Sequence, residues 1–143
     1  MSNLLWQLKR VRPREWAHLA EAVVALSAAG VLLKVLSFQR LSRRLGHHMA
    51  KAPPTADRSA LRTAKAIRWA VTAAADRMPW KPVCLPRAVA AHWMLRRRGL
   101  ASTLYLGLDA SKNYDAHAWV RFGRIVVTGG PGEERFVVVS TFA

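Results

Sequence analysis

The hydrophobic pattern of the chain changes its period at Gly99, and this change limits the folds that the sequence can adopt. Before Gly99, apolar residues recur every three to four positions, which predicts helices. After Gly99, Leu104, Leu106 and Leu108 alternate with less apolar residues, which predicts a strand, and further short alternating runs follow between glycine turns. The last of these runs, 136–139, is expected to be the final strand of an antiparallel meander, and helices followed by such a meander predict an α+β fold.

The composition is that of a folded domain with an unusual charge. Apolar residues make up 52% of the 143 residues, which is enough for a core and suggests one domain. Lys and Arg number 23 against 8 Asp and Glu, so the net charge of +15 predicts an anionic partner such as an acidic peptide, nucleic acid or a membrane surface. One cysteine cannot form an internal disulfide, and no Cys/His cluster has metal-site spacing, so we expect a cytoplasmic protein without a metal.

The first third of the chain is predicted to be helical. One helix is expected from about Glu15 to Leu36, and its apolar middle is shorter than the run of about 20 residues that a bilayer span needs. Because Lys34 interrupts this run, we expect the helix to pack on the core or to bind a partner, not to span a membrane. The sequence thus predicts a helical region, 1–55, and a second region, 56–143, which together form one compact unit.

Two more helices are predicted before the strands. The first runs from Asp57 or Ser59, either of which can cap it, to about Met78. The second begins at Cys84 and is closed by Gly99. Cys84 therefore lies at a helix N-terminus, where the dipole and the free N–H groups favour the nucleophilic thiolate over the thiol. The alternative interpretation is that Cys84 is a small buried apolar residue.

His117 is the predicted partner of Cys84. It lies in the strand 116–122, on the same face as Trp119. If the Cys84 helix packs on this face, the imidazole can accept the thiol proton and later pass it to a leaving amine. The backbone N–H of Cys84 and the indole of Trp80 would stabilise the oxyanion, and Trp119 is expected to contact the substrate.

Four segments in this order resemble the lasso-peptide leader peptidases, a branch of the transglutaminase-like cysteine proteins: Trp80-x-x-x-Cys84-Leu85-Pro86, Leu95-Arg96-Arg97-Arg98-Gly99-Leu100, Leu106-Gly107-Leu108 and Ala116-His117-Ala118-Trp119-Val120. The resemblance covers about residues 58–142. It implies a papain/transglutaminase-like core in which the nucleophile helix packs on an antiparallel sheet, with the N-terminal helices preceding it.

The resemblance also implies an activity and partners. The activity is removal of the leader peptide from a ribosomally made lasso-peptide precursor, with Cys84 as nucleophile and His117 as general base and acid. The implied partners are the precursor peptide, a separate leader-binding protein and an ATP-dependent macrocyclase. No phosphate-binding loop is visible, so we expect no cofactor, although an ATP requirement of the pathway stays open. Two alternatives remain: an inactive or weakly active scaffold that binds the precursor, and a basic helical protein that binds nucleic acid or a membrane.

The group that orients His117 is where the sequence departs from the family. The position that carries the family's catalytic acid is Gly129 here. A two-residue turn at 123–124 would put His117 opposite Gly130, which also lacks a carboxylate. Asp115, two residues before His117 on the same face, is the first candidate for this role. The other candidates are Glu133, Glu134, Thr128, a backbone carbonyl or water.

Overall fold

The computed structural model describes residues 13–36, 40, 57–109, 115–130, 133 and 136–143, and it has an α+β fold. Three helices come before the strands in the described part of the chain: α1 (Pro13–Val35), α2 (Arg58–Arg77) and α3 (Cys84–Arg97). The strands are β1 (Thr103–Asp109), β2 (Asp115–Phe122), β3 (Ile125–Thr128) and β4 (Val137–Phe142). The predicted fold class is confirmed, because α3 packs on an antiparallel sheet and other helices precede it.

Local signals in the sequence set the ends of α2 and α3. Asp57 is the residue that caps α2, and its carboxylate accepts a hydrogen bond of 2.7 Å from the backbone N–H of Ala60. Gly99 has a φ of 71°, a left-handed conformation that suits glycine and ends α3. The N–H of Leu100 then donates to the carbonyl of Leu95, which completes the helix end. The chain therefore changes direction at Gly99, where the period of its hydrophobic pattern also changes.

The N-terminal helix α1 packs on α2 and α3. Three fully buried residues of α1 belong to the common core: Ala22, Leu26 and Ala29. Next to Ala22, the carboxylate of Glu21 accepts hydrogen bonds from Arg97 at 3.0 Å and from Arg98 at 2.9 Å. The hydrogen bond from Arg98 lowers the pKa of Glu21 below its usual value, in spite of partial burial.

One side of α1 faces solvent with apolar residues. The exposed large side chains are Trp16, Val23, Val24, Val31 and Val35. In the part of the chain that the structure describes, α1 is the one helix that is long and apolar enough to cross a membrane. Core helices of soluble proteins and signal sequences have the same length and composition, so the absence of a membrane span stays a prediction.

The four strands lie in the order β3-β2-β1-β4. The first three form the predicted meander, but β4 pairs with β1 and not with β3. The expectation of a simple meander is therefore wrong, and the segment after β3 crosses to the opposite edge of the sheet. A burial gain accounts for the crossing, since Phe142 of β4 lies beside Leu104 and both are buried in the core. The last strand also runs further than the predicted 136–139.

The helices cover the face of the sheet that carries Ala118, Val120 and Phe122. The predicted alternation along β2 is correct, but the expectation that α3 packs on the His117 face is wrong. Small apolar side chains bury against the alanine-rich helices without the desolvation cost that an imidazole or a guanidinium would bring. His117 and Trp119 therefore lie on the opposite face, where they belong to an aromatic cluster.

Candidate active site

Cys84 is the first residue of α3, as the sequence predicts. Val83 precedes it in an extended conformation and provides no side-chain hydrogen bond to the helix. The N–H groups of Cys84 and Leu85 therefore remain available to an anion, whether a thiolate or an oxyanion, whereas Pro86 has no N–H and that of Arg87 donates to the carbonyl of Val83. Cys84 is half-buried, and its side chain packs against the edge of the core.

The loop that leads into Cys84 is held by α1. Trp80 lies against Gly30, since a Cβ atom at position 30 would be only 2.8 Å from the indole ring. Lys81 follows with a φ of 40°, a left-handed conformation that costs a residue with a side chain about 1–2 kcal/mol. The indole of Trp80 is 45% exposed, so it also borders solvent. A role for this indole in stabilising the oxyanion stays a prediction.

The imidazole of His117 is fixed by a backbone carbonyl. The distance from Nε2 of His117 to the carbonyl oxygen of Gly129 is 2.6 Å. A carbonyl can only accept, so Nε2 is the donor, and in the neutral ring Nδ1 then carries the free electron pair. Phe136 and Trp119 stack near the ring, with centroids 4.7 Å and 5.8 Å away. The ring therefore has a defined orientation and a base at Nδ1.

A β-bulge at Val127 overturns the predicted pairing of His117 with Gly130. The tight turn sets the expected register for the first two residue pairs of β2 and β3, but Val120 then pairs with Thr128. Val127 is the extra residue, and its side chain enters the core. Counting residues from the turn cannot detect the bulge, because the count assumes one residue for one on the two strands. The bulge places Gly129 beside Trp119, and from there its carbonyl oxygen reaches Nε2 of His117.

Within the described residues, neither Glu133 nor Thr128 forms a hydrogen bond with the imidazole of His117. The side chain of Asp115 and all of Glu134 lie outside the described residues. Glu133 lies beside Gly130, where its Oε2 is 3.1 Å from the position of a Cβ atom on that glycine. Thr128 is buried, and its Oγ1 has no hydrogen-bond partner among the described residues. Their catalytic roles stay predictions.

The carbonyl of Gly129 is the group that orients His117, a role for which the sequence offers several candidates. The signal was the pair of glycines at the end of β3, because Gly129 has a φ of 86° and a side chain there would meet the carbonyl oxygen of Ala118 at 2.6 Å. Because a side chain cannot be accommodated at position 129, this residue contacts His117 only through its backbone carbonyl.

Trp119 is a packing residue in its described contacts. It is 3% exposed, and its ring stacks on Tyr105 with centroids 5.4 Å apart and planes within 3° of parallel. The indole also lies over Gly107, where a Cβ atom would be 2.8 Å away. This packing supports His117 from one side. The predicted contact of Trp119 with the substrate stays a prediction.

One cleft joins the start of α3 to the segment that holds His117. Arg87, about one turn after Cys84, and Gly129 both line this cleft, which has a volume of about 600 Å³. Among the described residues, no hydrogen bond joins Cys84 to His117. The helix α3 and the strand β3 thus border a common cleft, but neither Cys84 nor His117 is among its lining residues, and the direct contact of thiol and imidazole stays a prediction.

Comparison with known families agrees with this fold. Residues 23–141 match Transglut_core3, the Transglutaminase-like superfamily, and the matched stretch covers more than half of the chain. The chain therefore belongs to the transglutaminase-like superfamily, which includes cysteine proteases and acyltransferases. The predicted resemblance is confirmed at this level. No curated protein and no solved structure gives a significant match.

Proposed function

We propose that this chain is a cysteine peptidase that removes the leader peptide from a lasso-peptide precursor in the cytoplasm. The superfamily supports the class of enzyme, and the motifs around Cys84 and His117 support the substrate. The observation that carries the proposal is the hydrogen bond from Nε2 of His117 to Gly129, because it leaves Nδ1 as the base that thiol chemistry needs.

The reaction has two stages. Nδ1 of His117 accepts the thiol proton, and the thiolate of Cys84 attacks the carbonyl carbon of the bond between leader and core. The backbone N–H groups at the start of α3 stabilise the oxyanion, and the core peptide leaves as an amine that takes the proton from Nδ1. Water, activated by the same imidazole, then hydrolyses the thioester and releases the leader.

The face of the sheet on which His117 lies favours a second candidate function. Because α3 covers the Ala118 face and His117 lies on the other face, a contact of thiol and imidazole would have to form around the end of the sheet. If the two do not meet there, the protein is a scaffold that holds the precursor for a separate leader-binding protein and the macrocyclase.

One experiment separates the two functions. The purified protein is incubated with a cognate precursor, with and without the leader-binding protein, and products are identified by mass spectrometry. The peptidase releases intact leader and core, and Cys84→Ala releases neither while it still binds the precursor. Since Cys84 is the only cysteine, its alkylation by iodoacetamide can be followed on the whole protein as the pH is lowered. Binding without cleavage in every combination, with ordinary thiol reactivity, would establish the scaffold.

A further inference from the structure

The cleft that Arg87 and Gly129 border has a strongly basic lining. Among the described residues, three arginines line it, each from a different element: Arg68 from α2, Arg87 from α3 and Arg124 from the turn before β3. Glu133 is the one carboxylate that the described part of the chain adds to the lining. The wall between them is formed by β3, including the half-buried Val126. We call this the arginine cleft.

Two of the three arginines are available to a ligand. Arg87 is held in place by Asp76 at 3.0 Å and by the carbonyl of Pro82 at 2.9 Å. Arg68 and Arg124 are exposed, and within the described residues neither forms an ion pair. A guanidinium presents a fork of N–H donors that matches the two oxygens of a carboxylate. The cleft thus has one fixed cation and two that can close on an anion.

A buried hydroxyl in the same cleft also lacks a partner. Thr128 lines the cleft and is only 8% exposed, yet its Oγ1 has no hydrogen-bond partner among the described residues. Buried hydroxyl groups in folded proteins are nearly always paired, so an unpaired one that lines a cleft indicates a ligand atom. Thr128 is also the residue before Gly129, whose carbonyl holds His117. A ligand on Thr128 would therefore lie next to the peptide group that orients His117.

We propose that the arginine cleft binds an acidic side chain of the peptide substrate close to the bond that is cut. This assignment rests on the proposed peptidase function and adds the class of substrate, a peptide with Asp or Glu near the cleavage site. The arginines bind the carboxylate, Thr128 donates its hydroxyl, and the apolar wall at Val126 contacts the methylene groups of the side chain. The two free guanidinium groups and the one hydroxyl suit a single carboxylate better than the row of phosphates of a nucleic acid.

The test is a binding experiment on the Cys84→Ala protein, which removes turnover from the measurement. Two fluorescein-labelled peptides of Gly and Ser are compared by fluorescence anisotropy, one with four Glu residues and one with four Gln residues. We expect the Glu peptide to bind at least about tenfold more tightly. Equal binding of the two peptides would overturn the proposal.

Charge-matched variants locate the binding. Arg68→Gln with Arg124→Gln should weaken binding of the Glu peptide at least about tenfold, because both free guanidinium groups are lost. Arg62→Gln with Arg121→Gln is the matched control, since it removes two exposed arginines from α2 and from the β2–β3 hairpin that do not line the cleft. The control should change binding less than about threefold. An equal loss in both variants would show general attraction to a basic surface and would contradict the proposal.

Two further measurements complete the test. Thr128→Val keeps the shape of the side chain and removes the hydroxyl, so it should weaken binding without lowering the melting temperature. An oligothymidylate with the same charge as the Glu peptide should compete weakly, and displacement at equal concentration would assign the cleft to nucleic acid instead. Because none of these measurements requires cleavage, binding in the cleft by a protein that cuts no precursor would refute the peptidase and leave the cleft standing.

Discussion

The Nε2 atom of His117 lies 2.6 Å from the carbonyl oxygen of Gly129, so a peptide group performs the orienting role that a carboxylate has in many cysteine and serine enzymes. A neutral carbonyl fixes the tautomer and the orientation of the ring as well as a carboxylate does. It stabilises the imidazolium less, because it has no formal charge. We therefore expect a functional but slower Cys–His pair.

The first prediction concerns the two proposed catalytic residues. Cys84→Ala should abolish cleavage of the precursor, and His117→Ala should lower kcat/KM by about 10²–10⁴-fold, the usual contribution of a general base. The double variant should be no worse than Cys84→Ala, because the two residues act as a unit. His18→Ala on α1 is the control, and it should cut at the normal rate. A His117→Ala protein with full activity would contradict the mechanism.

The second prediction concerns the carboxylates near His117. Since the Gly129 carbonyl already orients the ring, Asp115→Asn and Glu133→Gln should each change kcat by less than about threefold. Single-turnover rates of leader removal measure this without interference from product release. A drop of tenfold or more in either variant, with KM unchanged, would make that carboxylate the third catalytic residue, as the sequence first suggests for Asp115.

The third prediction concerns the residue that provides the carbonyl. Gly129→Ala puts a side chain at a φ of 86° and against the carbonyl oxygen of Ala118, so it should destabilise the fold and reduce activity together. Gly99→Ala is the matched control, because Gly99 has a φ of 71° but has no atom within 4 Å of the added Cβ. Gly99→Ala should cost about 1–2 kcal/mol from backbone strain alone, as measured by urea denaturation.

For Gly129→Ala we expect a larger loss of unfolding free energy than for Gly99→Ala, and in addition a fall in kcat that Gly99→Ala does not show. Equal losses of stability in the two variants would mean that the strand end moves aside easily. Normal kcat in a folded Gly129→Ala protein would show that the carbonyl does not set the orientation of His117.

The fourth prediction concerns the contact between α1 and the loop before Cys84. Gly30→Leu should push the indole of Trp80 away and lower cleavage, because that loop positions the start of α3. Its cost in stability should be small, since leucine favours a helix by about 1 kcal/mol over glycine and the half-exposed ring can move. Ala28→Leu, at an exposed position of the same helix, is the control and should leave kcat and KM unchanged. Equal activity of both variants would remove any role of Trp80 in the reaction.

The fifth prediction concerns pH. The hydrogen bond from Arg98 holds the pKa of Glu21 below its usual value of 4.5. The folded state therefore binds this proton more weakly than the unfolded state, so the contribution to stability is full above pH 4.5 and is lost as the pH falls through the folded pKa. The difference in melting temperature between the wild type and Glu21→Gln should be large at neutral pH and shrink in acid.

Asp76→Asn is the control for the pH measurement. Asp76 pairs with Arg87 at the surface with 58% of its side chain exposed, and exposed ion pairs contribute little. Its effect on the melting temperature should be smaller than that of Glu21→Gln at neutral pH. A pH-independent difference for Glu21→Gln would show that the contact of α1 with α3 depends on packing and not on charge.

Periodicity and capping residues were enough to predict the helices and the first three strands. Each of these local signals affects only residues close to it in the sequence: Asp57 at the start of α2, Cys84 at the start of α3 and Gly99 at the end of α3. Their effects can therefore be predicted from the sequence. The face of the sheet that meets α3 could not be predicted in this way, because it depends on competition between Ala118 and His117 for a shared core. The pairing of β4 with β1 likewise depends on Phe142, which lies far from its partner along the chain.

The group that orients His117 could not be identified from the sequence for a related reason. The sequence allows a backbone carbonyl in this role but does not say which residue provides it, and Asp115 is the nearest carboxylate. The bulge at Val127 arises because that valine gains more from entering the core than the ladder loses at one position. The bulge moves Gly129 from beside Ala118 to beside Trp119. A peptide carbonyl, moreover, has no letter of its own in a sequence.

A carbonyl in this position changes which mutations would inactivate the proposed enzyme. An orienting carboxylate disappears with a single substitution, whereas every amino acid at position 129 still provides a carbonyl. What inactivates this site is a change of backbone shape, either a side chain at 129 or a deletion that straightens the bulge. In a complete mutational scan of positions 127–130, the effect of a substitution should therefore depend on the size of the new side chain and not on its charge. Insertions and deletions, which change the length of this segment, should inactivate the protein.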